Sequence, residues 1–152
     1  MPRIDLEAVQ QTNRTGYPSP FDRNVEGRWY RRLAPPSGLT DFGVSHVVLK
    51  PGAWSSQRHW HEAEDELIYL LEGELVLCED DGETVLKPGD AAGWKANSGN
   101  GHCLINRTQR DAVFLEIGSR SQHERVVYPD IDMRVERDAS GSRYLHKSGE
   151  PY

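Results

Sequence analysis

The chain has 152 residues, which fits one domain with a buried core, and only 36% of them are hydrophobic. Its formal net charge of −6 argues against a general affinity for nucleic acid or an anionic membrane, because both need clustered basic residues. The amino terminus lacks the apolar segment of an export signal, and no apolar run approaches the length of about eighteen residues that spans a membrane. We therefore expect a cytoplasmic protein.

Residues 1–41 are polar and rich in turns, and prolines interrupt them at positions 17–20 and 34–38. Trp29 and Tyr30 lie between these breakers and would cover the exposed edge of a sheet, which needs protection. We predict that residues 1–41 form an N-terminal arm that packs on the following domain or on a partner subunit. The four prolines also exclude a helix-turn-helix pair from this segment.

From residue 42 the sequence shows short apolar runs separated by turn signals, a pattern typical of β-structure. A hairpin is expected around Glu72 and Gly73, and the Asp-Gly pair within residues 80–83 predicts another. Since no segment has an amphipathic helical period, residues 42–118 predict an all-β sandwich or small barrel. The predicted strands are residues 44–50, 67–71, 75–78, 84–87, 91–95, 102–106 and 112–117.

Residues 119–152 lose this alternation and become strongly charged. Residues 126–128 predict a last short strand, and the final segment, 144–152, has too few apolar residues for a core of its own. We predict that residues 119–152 form a C-terminal extension that packs on the barrel.

The two cysteines, Cys78 and Cys103, lie in apolar runs and lack the paired spacings of a disulfide framework. The sequence predicts buried free thiols, as is usual in a reducing compartment.

A candidate metal site begins at His59 and His61, which an extended chain places on one face while Trp60 points to the other. Glu66 opens the next extended run, so we expect it to face the two imidazoles across a hairpin. Imidazole nitrogens with a carboxylate oxygen suit divalent first-row transition metals, whereas calcium and magnesium prefer oxygen ligands alone. His102, on a later predicted strand, supplies a fourth candidate ligand.

Together these residues resemble the two conserved motifs of the cupin superfamily, G-x5-H-x-H-x3,4-E-x6-G and G-x5-P-x-G-x2-H-x3-N. The matching residues of this chain are Gly52, His59, His61, Glu66 and Gly73 for the first motif, and Gly82, Pro88, Gly89, His102 and Asn106 for the second. The resemblance covers residues 42–118. It departs from the pattern by one extra residue before His59, and by eleven residues between Asp90 and His102 that include a glycine-rich segment, 97–101.

The resemblance implies a jelly-roll barrel, also called a double-stranded β-helix, and a homodimer. It also implies one divalent transition metal, manganese, iron, nickel or zinc, bound by His59, His61, Glu66 and His102. The stretched second motif and the chain ends are similar to a group of small bacterial cupins described as sugar-phosphate isomerases.

We therefore expect a metal-dependent enzyme that acts on a small polar substrate, with the metal as a Lewis acid and isomerisation as the favoured reaction. Lyase or dioxygenase chemistry, and non-catalytic binding or sensing of a small molecule, are the alternatives. Trp54, Trp94 and Lys95 lie near strand ends that would line a substrate pocket, and Lys95 or Arg58 would meet a phosphate or carboxylate. The sequence assigns no general base, and it predicts neither nucleic acid nor a membrane as a partner.

Overall fold

The computed structural model describes residues 3–152, so residues 1 and 2 of the predicted arm lie outside it. The described chain forms twelve strands and three short 3-10 helices, and the all-β class is confirmed. Within these residues, no helix has both the length and the apolar character needed to cross a bilayer. The strands are β1 (Arg28–Arg32), β2 (Phe42–Leu49), β3 (Trp60–His61), β4 (Glu66–Glu72), β5 (Leu75–Glu79), β6 (Gly82–Leu86), β7 (Ala91–Trp94), β8 (Cys103–Ile105), β9 (Ala112–Ser119), β10 (Glu124–Val127), β11 (Arg134–Asp138) and β12 (Gly141–Leu145); the 3-10 helices are Leu6–Ala8, Arg23–Val25 and Pro35–Ser37.

The strands form three antiparallel sheets that together make the predicted cupin jelly roll. One sheet has five strands in the order β1-β2-β9-β4-β7, a second has four in the order β12-β11-β10-β3, and a third has three in the order β6-β5-β8. Strands from both flanking segments join these sheets, because β1 pairs with β2 and β10 pairs with β3.

Alternation along the five-stranded sheet places its apolar residues inside the barrel. Val47, Leu49, Leu70 and Phe114 are fully buried on the inner face, while Tyr69, on the opposite face of β4, is 41% exposed. Toward the other end of the same inner face the residues become polar or small: Gly43 and Ser45 on β2, Glu66 on β4, and Glu116 and Gly118 on β9. The barrel therefore has a packed apolar end and an open polar end.

The predicted hairpin around Glu72 and Gly73 is wrong, because β4 pairs with β7 and β9 whereas β5 pairs with β6 and β8. Gly73 has a φ of +80°, and a Cβ there would lie 2.8 Å from the Cα of Ala112. The chain passes from one sheet to another at this crowded point. The Asp-Gly hairpin is confirmed, since β5 and β6 pair with Glu79 opposite Gly82.

The carboxy-terminal segment contains more structure than the single predicted strand. Strands β10, β11 and β12 form an antiparallel ribbon, and Arg143 on β12 contacts Asp138 at the end of β11 at 2.8 Å. The strong charge of this segment therefore belongs largely to cross-strand ion pairs. A second apolar cluster lies beneath the ribbon and includes Val126, Tyr128, Met133 and Val135, with Tyr17, Phe21, Ile131 and Tyr144 packed against it.

Candidate functional site

The candidate ligands come from two sheets rather than from one hairpin, contrary to the expected arrangement. His61 ends β3 in the four-stranded sheet, and Glu66 opens β4 in the five-stranded sheet. His59 and His102 form an isolated antiparallel bridge in which each backbone N–H donates to the other's carbonyl, at 3.1 and 2.9 Å. Their backbones are thereby fixed side by side, and the four side chains meet between the sheets.

The three imidazoles converge on a single carboxylate oxygen of Glu66. Glu66 Oε2 lies 3.0 Å from His102 Nε2, 3.3 Å from His61 Nε2 and 3.7 Å from His59 Nε2. The Nε2 atoms of His59 and His61 are 3.2 Å apart. Ligand atoms about 2.1 Å from one ion, at tetrahedral or octahedral angles, are separated by roughly 3.0–3.4 Å. His59, His61 and Glu66 are therefore close enough together to hold a single transition-metal ion, and His102 contacts this group through Glu66.

Backbone carbonyls orient two of the imidazoles of the candidate metal site. His59 Nδ1 lies 3.0 Å from the carbonyl of Gln57, and His102 Nδ1 lies 3.4 Å from that of Asn100. A carbonyl only accepts hydrogen bonds, so each Nδ1 carries the proton and each Nε2 presents its lone pair to the cluster.

His61 faces a carboxylate instead of a carbonyl. Its Nδ1 lies 3.8 Å from Glu124 Oε2, and both atoms are buried without a hydrogen-bond partner among the described residues. The other oxygen, Glu124 Oε1, accepts hydrogen bonds from the backbone N–H groups of Glu62 and Ala63 at 3.0 and 3.2 Å. Glu124 thus holds the bend between β3 and β4 and directs its free oxygen at His61.

Trp94 supports His102 from behind. Its ring stacks on the imidazole with a centroid separation of 3.7 Å and an interplanar angle of 5°. The indole N–H donates to Glu79 Oε1 at 2.8 Å, and the side-chain amide of Asn100 donates to the same oxygen at 2.9 Å. The ring of His102 is therefore fixed by stacking on one side and by Asn100 at its edge.

The electrostatics of the cluster favour an ionised carboxylate at Glu66 and a neutral imidazole at His59, but not a neutral imidazole at His61. Burial raises the pKa of Glu66, but its close contacts with the three histidines outweigh burial and hold that pKa well below its ordinary value. Burial lowers the pKa of His59, which favours the neutral imidazole. For His61 burial acts in the same direction, yet the nearby carboxylates, Glu66 first, raise its pKa. These opposing effects on the pKa values arise because three imidazoles share the single negative charge of Glu66. A bound cation would replace the proton for which these groups compete.

The cluster opens into a cavity of about 310 Å³. His59, His61 and Glu66 form part of its wall, and β1, the inner face of β2 and β9, and arm residues 13–17 form much of the rest. The charged lining residues comprise five arginines and three carboxylates besides Glu66: Arg14, Arg28, Arg32, Arg120, Arg137, Glu64, Asp65 and Glu116. This volume suits a small polar molecule.

None of the three residues predicted for the substrate pocket lines this cavity. Trp54 forms an isolated bridge with Ile105, Trp94 belongs to the apolar core, and Lys95 is exposed. Arg58, the other proposed anion contact, bonds both carboxylate oxygens of Asp130 at 2.7 Å.

Sequence reasoning found His59, His61 and Glu66 but missed the other residues that line the cavity, above all the arginines of β1 and Glu116. The sequence does contain a signal for the arginines, because Arg28, Tyr30 and Arg32 alternate and would share one face of a strand. From the sequence, this segment predicts a cover for a sheet edge and a local cluster of basic residues, but no part of a pocket wall.

Comparison with known proteins agrees with this geometry. Residues 45–118 match the model of a cupin domain. The chain is also 42% identical to a crystal structure described as a sugar phosphate isomerase from a cupin superfamily, from Silicibacter pomeroyi, with 99% of this chain and 96% of that chain covered and a TM-score of 0.96. The chain therefore belongs to the cupin superfamily.

Other solved structures share the fold at lower identity. A protein from Acidithiobacillus ferrooxidans, described as a candidate sugar phosphate isomerase, is 26% identical over 82% of this chain and 80% of its own, with a TM-score of 0.75. The polyketide cyclase RemF from Streptomyces resistomycificus is 24% identical over 78% of this chain and 79% of its own, with a TM-score of 0.64, and shows the fold alone. No curated protein matches the chain.

Proposed function

We propose that this protein is a metal-dependent cupin enzyme that isomerises a small phosphorylated sugar. The observation that carries the proposal is the meeting of three imidazoles and Glu66 at the wall of a polar cavity of about 310 Å³. A purely structural barrel needs no such convergence of donor atoms beside open space. The names of two similar proteins, both described in terms of sugar phosphate isomerase, support the substrate class.

His59, His61, Glu66 and His102 would hold one divalent ion, with manganese, iron, nickel and zinc all suited to this donor set. When bound, the ion supplies a Lewis acid that polarises a carbonyl or hydroxyl oxygen of the substrate. Of the four ligands, only His59, His61 and Glu66 line the cavity, so a substrate would approach the centre from their side.

An isomerisation also requires a base, and we assign this role to Glu116. Its side chain lies on the inner face of β9 directly opposite Ile68, two positions from Glu66, and it lines the cavity. Arg28 holds Glu116 Oε2 at 2.6 Å, so the carboxylate is fixed, while its other oxygen has no such contact with any residue that the structure describes. Glu116 would take the proton from the carbon next to the carbonyl and return it to the former carbonyl carbon. The hydroxyl proton moves to the carbonyl oxygen, so the step needs no oxidant or reductant.

The first test measures metal content and proton exchange together. Wild-type protein purified without chelator should contain close to one equivalent of a first-row metal by elemental mass spectrometry, and a His59→Ala, His61→Ala double variant should contain almost none. Incubation of the wild type with a panel of aldose phosphates in D2O should exchange the hydrogen at C2 of one of them, followed by proton NMR.

A matched pair of variants separates the chemistry from the fold. Glu116→Gln should retain the metal and lose exchange by about a hundredfold or more, as expected for a catalytic base. Glu74→Gln, at an exposed position, should leave both unchanged. A wild type without metal after reconstitution, or full exchange in Glu116→Gln, would contradict the proposal.

A further inference from the structure

The arginines of the cavity differ in how their charge is balanced. Arg120 and Arg137 both contact Glu64, and Arg28 contacts Glu116. Arg14 and Arg32 line the same cavity, and neither has a carboxylate partner among the described residues. Two guanidinium groups therefore face the cavity with uncompensated charge.

Arg14, Arg28 and Arg32 are grouped by the structure of β1. Arg28, Tyr30 and Arg32 alternate onto the inner face of this strand, where their register partners on β2 are Leu49, Val47 and Ser45. The guanidinium carbons of Arg28 and Arg32 lie 4.7 and 5.7 Å from the centroid of the Tyr30 ring.

The arm holds the third arginine against the same tyrosine. Thr12 forms an isolated bridge with Tyr30, and the Tyr30 hydroxyl donates to the carbonyl of Arg14 at 3.1 Å. The Tyr30 side chain therefore contacts the guanidinium groups of Arg28 and Arg32 and holds the backbone of Arg14. Such fixed spacing reduces the entropy cost of binding an anion.

The charge of the cavity contrasts with that of the whole chain. The chain carries a net −6, but the cavity lining has five arginines and four carboxylates. One of these carboxylates, Glu66, belongs to the ligand cluster, so the excess of positive charge lies away from it, on the β1 side. A cavity with this charge distribution favours a ligand that is neutral at the cluster and anionic at its other end.

We propose that Arg14, Arg28 and Arg32 form a subsite for the phosphate group of the substrate. The assignment rests on the proposed function, which it makes specific by giving the substrate an orientation. Arg32 pairs with Ser45, which pairs with Glu116, so two interstrand steps of about 4.8 Å separate the backbones of Arg32 and Glu116. A short phosphorylated sugar spans that distance, with its phosphate at β1 and its carbonyl end near Glu116 and the ligand cluster.

The test uses inorganic phosphate as the probe, titrated by calorimetry at fixed ionic strength into zinc-loaded protein and into protein stripped of metal with a chelator. Phosphate should bind in both states, because the subsite contains no metal ligand. An Arg14→Gln, Arg32→Gln double variant should raise the Kd by about tenfold or more in both, since charge-assisted hydrogen bonds are lost. Both side chains belong to exposed residues, so the fold should survive the change.

Arg110→Gln is the matched control, because this arginine is also exposed but does not line the cavity. It should keep the wild-type Kd. Unchanged phosphate affinity in the double variant, an equal loss in the control, or no phosphate binding by the stripped wild type would overturn the subsite. The proposed function fails separately: a protein that takes up no metal yet binds phosphate through Arg14 and Arg32 keeps the subsite and loses the metal-dependent reaction.

Discussion

The substitution Glu124→Gln tests how the structure prepares His61 as a ligand. Glu124 Oε1 accepts two backbone N–H groups, and its Oε2 faces the unpartnered Nδ1 of His61. A glutamine must keep its carbonyl oxygen on the backbone donors, which turns its NH2 group toward His61. The imidazole then accepts through Nδ1 and carries its proton on Nε2, the atom that is the ligand in the proposed metal site.

The expected loss follows from the same contacts. To bind a metal in the variant, His61 must return to the other tautomer and leave the buried glutamine NH2 group unsatisfied, at a cost of about 1–3 kcal/mol, so metal affinity falls by roughly 10- to 100-fold. Loss of an outer partner of a metal-bound histidine typically costs about this much. The unfolding free energy should change little, because both backbone hydrogen bonds are kept.

The assay is zinc competition against a chromophoric chelator at constant pH, with urea unfolding of the metal-free protein alongside. Glu74→Gln, at an exposed position, serves as the control and should bind zinc as the wild type does. A Kd for Glu124→Gln within twofold of the wild type would refute the proposed role of Glu124.

Three further predictions concern supporting residues. Trp94→Phe removes the indole hydrogen bond to Glu79 and part of the surface that stacks on His102. The substitution should lower the free energy of unfolding, measured in urea, by about 2 kcal/mol and should weaken zinc binding. An unchanged zinc Kd would contradict the view that Trp94 supports His102. Tyr69 lies exposed on the outer face of β4, and we expect a homodimer to form through this face. Tyr69→Glu should therefore convert the dimer to a monomer, measured by light scattering, while the circular dichroism spectrum stays constant. A monomeric wild-type protein would contradict this expectation. Burial raises the pKa of Cys103 to about 12, which keeps its thiol protonated and unreactive at pH 8. A thiol reagent at pH 8 should therefore modify at most the half-buried Cys78 in the folded protein, and both cysteines in urea. Modification of both cysteines in the folded protein would contradict this prediction.

The local sequence pattern was sufficient to predict most strands of the barrel, but not all of the connections between them. Alternation and turn signals located seven strands within residues 42–118, and the Asp-Gly turn specified a correct hairpin. The Gly73 turn was misassigned because a glycine of positive φ serves equally in a hairpin and in a crossing between sheets. Only the long-range contact of Gly73 with Ala112 decides between the two, and a single sequence does not show that contact. Strands β11 and β12 were missed because an ion-paired ribbon resembles a solvated charged tail.

The candidate ligands were easier to identify than the residues around them. A transition metal accepts few donor types, so His59, His61, Glu66 and His102 stand out by chemistry before any fold is known. Arginines and carboxylates on a barrel wall have no such signature, because the same residues are common on surfaces. Their role depends on which strand lies at the sheet edge and which face of that strand points inward.

Two glycines leave space for another side chain at the open, polar end of the barrel. Gly43 and Gly118 are register partners on β2 and β9, and Gly118 also pairs with Glu66, so they continue the row of Glu66 across the inner face. A Cβ at Gly43 would collide with the guanidinium of Arg120, and one at Gly118 would lie 3.3 Å from it. The missing side chains therefore give Arg120 space on the sheet, one strand away from Glu66, the candidate metal-binding carboxylate. The same alternation that packs the apolar end of the barrel thus places arginines at its polar end, and the cavity combines a candidate metal centre with cationic side chains.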